Sequence, residues 1–141
     1  YAGKDIIKGG AGDDSIAGGE GKDKLTGGLG EDMFVFDTEA NTKTNADTIT
    51  DFSVDDGDYL VFNDEIFINS DFVVVNKLKD KVTLDSEGEQ EFDSVSYVGL
   101  VYEQSTGKLY YDANELGAGQ LVVTLTGKPE LTSDQVFIIP M

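Results

Sequence analysis

The sequence contains no cysteine, no histidine and no arginine among its 141 residues. Without histidine and cysteine, the chain lacks the commonest general base and the thiol nucleophile of enzymes. No G-x-S-x-G segment and no P-loop occurs either. The lack of cysteine also excludes disulfides, so a small extracellular domain would need another source of stability, such as bound metal. We therefore expect a non-catalytic chain, although a parent protein could still be an enzyme.

Positive charge is scarce as well. The chain has 28 acidic residues against 10 basic ones, all lysine, and its net charge is −18. Nucleic acid is excluded as a partner because phosphate binding requires clustered cations, and anionic membrane surfaces are disfavoured for the same reason. There is no run of eighteen apolar residues, so we expect no membrane-spanning segment. Self-repulsion of this size opposes compaction, and bound cations would offset it.

A nine-residue repeat fills the first quarter of the chain. Three consecutive copies span Gly9–Ala17, Gly18–Thr26 and Gly27–Val35, and a partial copy that lacks its first residue spans Tyr1–Lys8. Glycine stands at places one, two and four of the repeat, aspartate at place six and an apolar residue at place eight. A flexible Gly/Asp-rich linker would have no reason to keep that apolar residue in register.

Each place in the repeat has a physical role. Glycines let the chain take positive φ and turn sharply, and their unshielded carbonyls can point at an ion. The aspartate adds a carboxylate, which gives an all-oxygen ligand shell that favours calcium over magnesium. The last three places predict a short strand whose middle residue points into a shared core. We expect two repeats to form one coil, with calcium between turns two repeats apart.

The pattern GGxGxDxUx, read on these residues, resembles the calcium-binding nonapeptide repeat of RTX proteins. The resemblance is to the C-terminal regions of bacterial proteins exported by type I secretion, such as serralysin-like proteases, RTX lipases and RTX adhesins. It implies a short parallel β-roll that binds two or more calcium ions. It also implies a secreted, extracellular protein that engages the type I secretion machinery.

Later segments extend the resemblance. Asp47–Phe52 looks like the D-x-I-x-D-F element that follows the last repeat in serralysin-type domains. Gly57–Phe62 is similar to the stretch after it, but its spacing is longer, which leaves the role of Asp58 open. Leu100–Asn114 resembles a β-hairpin element found near the ends of RTX proteins. Leu131–Ile139 resembles the terminal strand where type I export signals lie.

The resemblance implies a set of calcium ligands. In RTX sites of this kind, the earlier turn gives carbonyls from places two and four, the later turn gives carbonyls from places one and three, and both give the aspartate. Carried over, the first site uses Tyr1, Gly3, Asp5, Gly18, Glu20 and Asp23. The second site uses Gly10, Gly12, Asp14, Gly27, Leu29 and Asp32. Further sites would begin at Asp23 with Gly19 and Gly21, and at Asp32 with Gly28 and Gly30, and Asp47 is the candidate that closes the last one. We expect Asp13 and Glu31, at place five, to face solvent.

The remainder of the sequence predicts β structure throughout, because turn residues recur about every ten positions and no helical apolar stripe appears. The predicted strands are Met33–Phe36, Thr48–Phe52, Tyr59–Phe62, Phe72–Asn76, Lys81–Leu84, Ser94–Glu103, Lys108–Asp112, Gln120–Thr126 and Gln135–Ile139. Within Gln120–Thr126, alternation places Leu121, Val123 and Leu125 on one face. Gln104–Gly107 predicts a hairpin loop, and Asp112–Gly117 predicts a second turn.

We therefore expect an all-β fold, in which a parallel β-roll at residues 1–36 is capped by an antiparallel sheet or sandwich at residues 37–141, as one continuous unit. The chain opens inside a repeat and has no basic-then-apolar leader, so we expect a fragment of a longer protein, and a monomer. The predicted function is calcium-induced folding outside the cell together with carriage of the export signal. The alternative is a glycan-binding, polymer-binding or adhesin module that calcium stabilises.

Overall fold

The structure is a computed structural model, and it describes residues 2–68, 71–75, 99–112 and 119–141. Within these residues the protein is all-β, as the sequence predicted, with a single short 3-10 turn at Ser133–Gln135. The strands are β1 Ile6–Ala11, β2 Ser15–Ala17, β3 Lys24–Leu29, β4 Met33–Phe36, β5 Asp47–Ile49, β6 Tyr59–Asn63, β7 Asp71–Val75, β8 Gly99–Glu103, β9 Lys108–Asp112, β10 Gln120–Leu125 and β11 Val136–Ile139. In the part of the chain just defined, no helix is long and apolar enough to cross a bilayer.

The repeats wind into a parallel roll with two sheets. β1 pairs in parallel with β3, so that Ile6 lies beside Lys24, and β2 pairs in parallel with β4, so that Ser15 lies beside Met33. Both pairings join residues eighteen positions apart, which is two nonapeptides. The prediction that two repeats form one coil is therefore confirmed.

The parallel stacking continues past the last nonapeptide. A third coil adds β5 to β3, with Thr48 beside Lys24, and β6 to β4, with Tyr59 beside Met33. The chain then returns after a long excursion and adds β10 to β5 and β11 to β6, again in parallel. The resulting sheets have the strand orders β1-β3-β5-β10-β9-β8-β7 and β11-β6-β4-β2.

The core lies between the two sheets and is built from place eight of the repeat. Stacked residues at this place and its later equivalents point inward, because every second side chain of a strand points to the same face, and all are buried except Ile7 and Val136, which are half-buried. On the first sheet this column is Ile7, Leu25, Ile49 and Leu125, and on the second it is Ile16, Phe34, Leu60 and Val136. Phe36 stacks on Phe62 with ring centroids 5.0 Å apart, which closes the core beside the columns.

The excursion between the third coil and β10 extends the first sheet. β8 and β9 form the predicted antiparallel hairpin across Gln104–Gly107, and Gly107 adopts the positive φ of 75° that closes the loop. β9 pairs antiparallel with β10, and β7 pairs in parallel with β8. The expected combination of a β-roll and an added sheet is thus confirmed, and its antiparallel pairs in the described residues are β8–β9 and β9–β10.

Some local predictions were wrong. Leu121 does not share the buried face of Val123, because a β-bulge between them turns Val122 into the core instead. The strand predicted to reach Phe52 ends at Ile49, since the chain bends there to start the next loop of the roll. Predictions on Lys81–Leu84, on the first part of Ser94–Glu103 and on most of Asp112–Gly117 lie outside the described residues.

Candidate metal centre

The loops that join the strands of the roll are built on glycines with positive φ. At places two and four of the repeats φ lies between 88° and 137°, a range that residues with a Cβ rarely adopt. The glycines concerned are Gly3, Gly10, Gly12, Gly19, Gly21, Gly28 and Gly30. The sharp turns that the repeat predicted are therefore present.

Glycine is also required here because successive turns lie against each other. A Cβ placed on Gly21 would collide with the carbonyl oxygen of Gly3, and one placed on Gly28 would collide with that of Gly10. A Cβ on Gly30 would lie 2.5 Å from the carbonyl oxygen of Gly12. The carbonyls of one turn thus face the glycines of the turn two repeats later, which is the pairing that the candidate ligand set requires.

The aspartates at place six stack into two rows, one at each bend of the roll. In the first row, the amide of Asp5 donates to Oδ1 of Asp23 at 2.7 Å, and the amide of Asp23 donates to Oδ1 of Asp47 at 2.9 Å. We define this first row as Asp5, Asp23 and Asp47. Each carboxylate therefore fastens its own turn to the turn before it.

The second row repeats this arrangement at the other bend. The amides of Asp14 and Asp32 each donate, at 3.0 Å, to Oδ1 of the next aspartate along the stack. We define the second row as Asp14, Asp32 and Asp58. Asp58 ends the row with both oxygens engaged, since its Oδ2 accepts from the amide of Ser53 at 2.8 Å.

At place six of each nonapeptide, one carboxylate oxygen of the aspartate is buried without a hydrogen-bond partner. These atoms are Oδ2 of Asp5, Asp14, Asp23 and Asp32. An unsatisfied buried oxygen of this kind costs about 1–3 kcal/mol, and more when it is charged. Their recurrence at one place of all four repeats indicates a shared role, and a hard cation in contact with them would remove the cost. The residues present therefore fit calcium.

The glycine at place one leaves room for this oxygen. A Cβ on Gly18 would lie 2.5 Å from Oδ2 of Asp23, and one on Gly9 would lie 2.6 Å from Oδ2 of Asp14. A Cβ on Gly27 would likewise collide with Oδ2 of Asp32. The predicted carbonyl ligands Gly18 and Gly27 thus lie directly beside the unpartnered oxygens.

The carbonyls at place three already carry a hydrogen bond. The carbonyl of Glu20 accepts from the amide of Gly3 at 2.8 Å, and that of Leu29 accepts from the amide of Gly12 at 2.7 Å. A carbonyl oxygen has two lone pairs, so the second remains open to a cation. No group of three or more acidic side chains converges on one point among the described residues, and carbonyls must then supply most of a ligand shell here.

Burial and like charge act on these aspartates together. Burial, with a smaller addition from the charge of Asp23, raises the pKa of Asp47 to about 7. Burial raises the pKa of Asp32 and of Asp58 as well, and neighbouring carboxylates raise both further. Asp32, Asp47 and Asp58 therefore lie in surroundings that disfavour a charged carboxylate, and a bound cation would reverse this preference.

Comparison with known families agrees with this geometry. The model of the RTX calcium-binding nonapeptide repeat matches residues 1–34 in four copies. Residues 1–34 therefore contain RTX calcium-binding nonapeptide repeats. No curated protein sequence matches the chain. The RTX repeat family binds calcium, so the match indicates calcium binding by these residues, while the number of ions and the ligand set remain predictions.

The structure brings together most of the predicted ligands. Asp5 lies with Asp23, and Asp14 lies with Asp32, as the pairing of RTX repeats two apart requires. The predicted place of Asp47 was wrong: it was expected to close the site that begins at Asp32, but it stacks on Asp23 in the first row, and Asp58 follows Asp32 because the loops after the last repeat break the period of nine. Tyr1 lies outside the described residues, and its carbonyl stays a prediction.

Solvent exposure at place five follows the expectation. Asp13 and Glu31 are both exposed, and the carboxylate of Asp13 accepts a hydrogen bond from the amide of Glu31 at 2.8 Å. These two acids therefore line the outside of the second row.

Two residues of the site were missed or left open by sequence reasoning. Asp51 is hydrogen-bonded to the repeat Gly27–Val35. Its two carboxylate oxygens accept from the amides of Gly27 and Gly28, both at 2.9 Å. Asp58 closes the second row, although the sequence left its role undecided. The D-x-I-x-D-F segment was the sequence signal that could have identified Asp51. Along each row, the sequence separation between stacked aspartates increases from 18 residues to 24 and 26 after the last RTX repeat. A period of nine therefore no longer identifies the partners.

Proposed function

We propose that the chain is a calcium-dependent folding module of an exported bacterial protein, and that its last strand carries the type I export signal. The observation that carries the first part is the set of buried, unpartnered Oδ2 atoms at all four RTX repeats. These oxygens, together with the buried carboxyls of Asp32, Asp47 and Asp58 whose pKa burial raises, oppose closure of the roll when no cation is bound. Calcium supplies the missing positive charge when bound, so its binding energy becomes folding energy.

The energies are large enough for a switch. A domain of this size has a free energy of unfolding of about 5–15 kcal/mol, and the net charge of −18 lowers it. Ligand at about a hundred times its dissociation constant adds roughly 2.7 kcal/mol for each independent site. Several sites therefore decide whether the chain is folded. The chain would stay unfolded in the low calcium of the cell interior and fold in millimolar calcium outside.

The C-terminal strands couple the rest of the chain to this switch. β10 pairs with β5 directly beside Asp47, so that Val123 lies opposite the last aspartate of the first row. β11 pairs with β6, which follows Asp58 at the end of the second row. A short roll buries little, and these strands cover the open end of its third coil. We infer that they act as the cap on which the repeats close.

The export signal is placed in Leu131–Ile139. In the folded structure its strand β11 presents Phe137 and Ile139 to solvent, with 44% and 41% of their surfaces exposed. Phe137 packs edge-on against Tyr59, with ring centroids 5.4 Å apart. On this proposal the secretion machinery recognises the apolar side chains of this segment while the chain is unfolded. On this proposal the module is non-catalytic, secreted and monomeric.

The folding proposal is tested by circular dichroism on chelator-treated protein during calcium titration. The expected result is a rise in the β signal with calcium and its loss on chelation. The double variant Asp14→Asn/Asp32→Asn removes both charges from the RTX part of the second row and should shift the transition to higher calcium. The matched control Asp37→Asn/Asp56→Asn removes two exposed acids away from the unpartnered oxygens. A β signal that ignores calcium would overturn the proposal.

The export proposal needs a separate experiment. The chain is fused behind a passenger protein in a bacterium with a type I exporter, and passenger is measured in the medium. Scrambling Leu131–Met141 should abolish export, while the Asp14→Asn/Asp32→Asn variant should be exported normally and fold poorly outside. Export that survives scrambling of this segment would contradict the proposed signal and leave calcium-dependent folding untouched.

A further inference from the structure

The two aspartate rows have charged neighbours of opposite sign. At place five, directly before the aspartate, the first row carries Lys4 and Lys22, whereas the second row carries Asp13 and Glu31. Lys24 follows Asp23 on the first row. Because repeats two apart stack, residues of like sign lie one above the other. The alternation of the RTX repeats therefore sorts charge to opposite bends of the roll.

The lysines of the first row share one cleft with its carboxylates. A cleft of about 390 Å³ is lined by Lys4, Lys22 and Lys24 together with Asp23 and Asp47. All three lysines are exposed, and they are three of only ten in the chain. The first row thus has three aspartates and three positively charged lysine side chains at its edge.

The second row has acids in the corresponding places. Glu31 extends toward the end of the row, since a Cβ on Gly57 would lie 2.8 Å from its Oε2. Asp51 lies against the amides of Gly27 and Gly28 in the same loops. Burial raises the pKa of Asp32, and the charges of Asp51 and Asp13 raise it further. In the first row, burial raises the pKa of Asp47, and the charge of Asp23 raises it further.

Both rows nevertheless contain buried carboxylate oxygens that are available to bind a cation. Asp23 and Asp32 are 2% and 0% exposed, and Oδ2 of each has no hydrogen-bond partner. Three further acids, Glu20, Asp37 and Glu39, lie on the side of the first row. They are exposed, they line a separate cleft with Asn45 and Ile66, and they are not among the charges that raise the pKa of Asp47. The rows thus offer similar oxygen donors in different electric fields.

We propose that the two rows take up calcium unequally, with the acid-lined row of Asp14, Asp32 and Asp58 filling at lower calcium than the lysine-lined row of Asp5, Asp23 and Asp47. This inference rests on the proposed calcium-dependent folding and adds the order in which the two rows bind calcium. Fixed negative charge raises the affinity of a site for a divalent cation, and nearby lysines lower it. Without calcium, the same lysines offset repulsion within the first row.

The order of filling is measured with protein labelled with ¹⁵N-glycine and titrated with calcium at low salt. The amides of Gly12 and Gly30 report on the second row, and those of Gly3 and Gly21 report on the first. The expected result is two steps, with Gly12 and Gly30 shifting first. Isothermal titration under the same conditions gives the affinity of each step.

Exposed charges can be changed without touching the core. The triple variant Lys4→Gln/Lys22→Gln/Lys24→Gln should strengthen the weaker step by about tenfold at low salt, because each charge at roughly 10 Å from a divalent ion changes its affinity a few-fold. The stronger step should change little. The control Lys8→Gln/Lys43→Gln/Lys128→Gln removes the same net charge from exposed lysines elsewhere. Conversely, Asp13→Asn/Glu31→Gln should weaken the stronger step.

The outcomes separate this inference from the proposed function. A single step in which all four glycines shift together, or an order with Gly3 and Gly21 first, would overturn the inference and leave calcium-dependent folding standing. Equal effects of the test and control lysine triples would also overturn it. A protein that binds no calcium at all would overturn both.

Discussion

The amide of Asp14 donates to Oδ1 of Asp32 at 3.0 Å, across one full coil of the roll, while Oδ2 of the same Asp32 side chain is buried without a partner. The Asp32 carboxylate thus has two separate roles. Oδ1 accepts the hydrogen bond that joins neighbouring turns, and Oδ2 is available to bind a cation. The same division holds for Asp23 beneath Asp5 in the first row.

Asp32→Asn separates these two roles. The amide side chain keeps an oxygen that can accept from the amide of Asp14, but it loses the charge and presents NH₂ in place of an oxygen. We expect calcium affinity to fall at least tenfold, about 1.4 kcal/mol, by isothermal titration. Because the oxygen that accepts from Asp14 is kept, the variant should still reach the full β signal by circular dichroism in saturating calcium. An equal loss of affinity in the exposed control Asp37→Asn would contradict the role of Asp32.

Gly28→Ala tests the close approach of successive turns. Gly28 and Gly10 both stand at place two with φ of 106° and 112°, but only a Cβ on Gly28 would strike a neighbouring turn, the one two repeats earlier, at the carbonyl oxygen of Gly10. Gly10→Ala should therefore cost about 1–2 kcal/mol from backbone strain alone. Gly28→Ala should cost clearly more, as measured by urea unfolding in saturating calcium. Equal losses in the two variants would show that the turns are not in contact there.

Asp51→Ala tests a turn of the roll that is held by hydrogen bonds and not by metal. Its carboxylate accepts from the amides of Gly27 and Gly28, so its removal leaves two backbone donors without a partner. We expect a loss of about 2–3 kcal/mol in the free energy of unfolding. Asp51→Asn should recover part of it because one acceptor remains. The exposed neighbour Asp55, changed to Ala, is the control and should be nearly neutral.

Calcium affinity should depend on pH through Asp47. Its pKa of about 7 lies above the ordinary 3.8, so below pH 7 the folded carboxyl binds a proton that calcium must displace. Apparent affinity should therefore fall as pH drops from 7.5 to 6. Asp47→Asn should flatten this dependence, and an unchanged slope would exclude Asp47 as its source.

Sequence reasoning identified the roll because its repeats are local. A period of nine with glycine and aspartate in fixed places predicted that Asp5 stacks with Asp23 and that Leu25 enters the core, and both are found. The third coil was harder, because loops between Phe36 and Asp58 break the period while keeping the hydrogen bonds.

The last layer of the roll had no local signal at all. β10 returns to pair in parallel with β5, so that Leu125 lies beside Ile49, and nothing in either strand specifies the other. The bulge that turns Val122 inward likewise depends on pairing with both β5 and β9. Such features follow from tertiary packing and do not appear in a pattern of alternating residues.

Calcium binding by chelator-stripped protein, followed by isothermal titration together with circular dichroism, tests the role of the two aspartate rows most directly. The predicted result is at least two calcium ions per chain, with the β signal appearing as they bind and disappearing with chelator. A chain that shows its full β signal without calcium and takes up none at millimolar concentrations would contradict it.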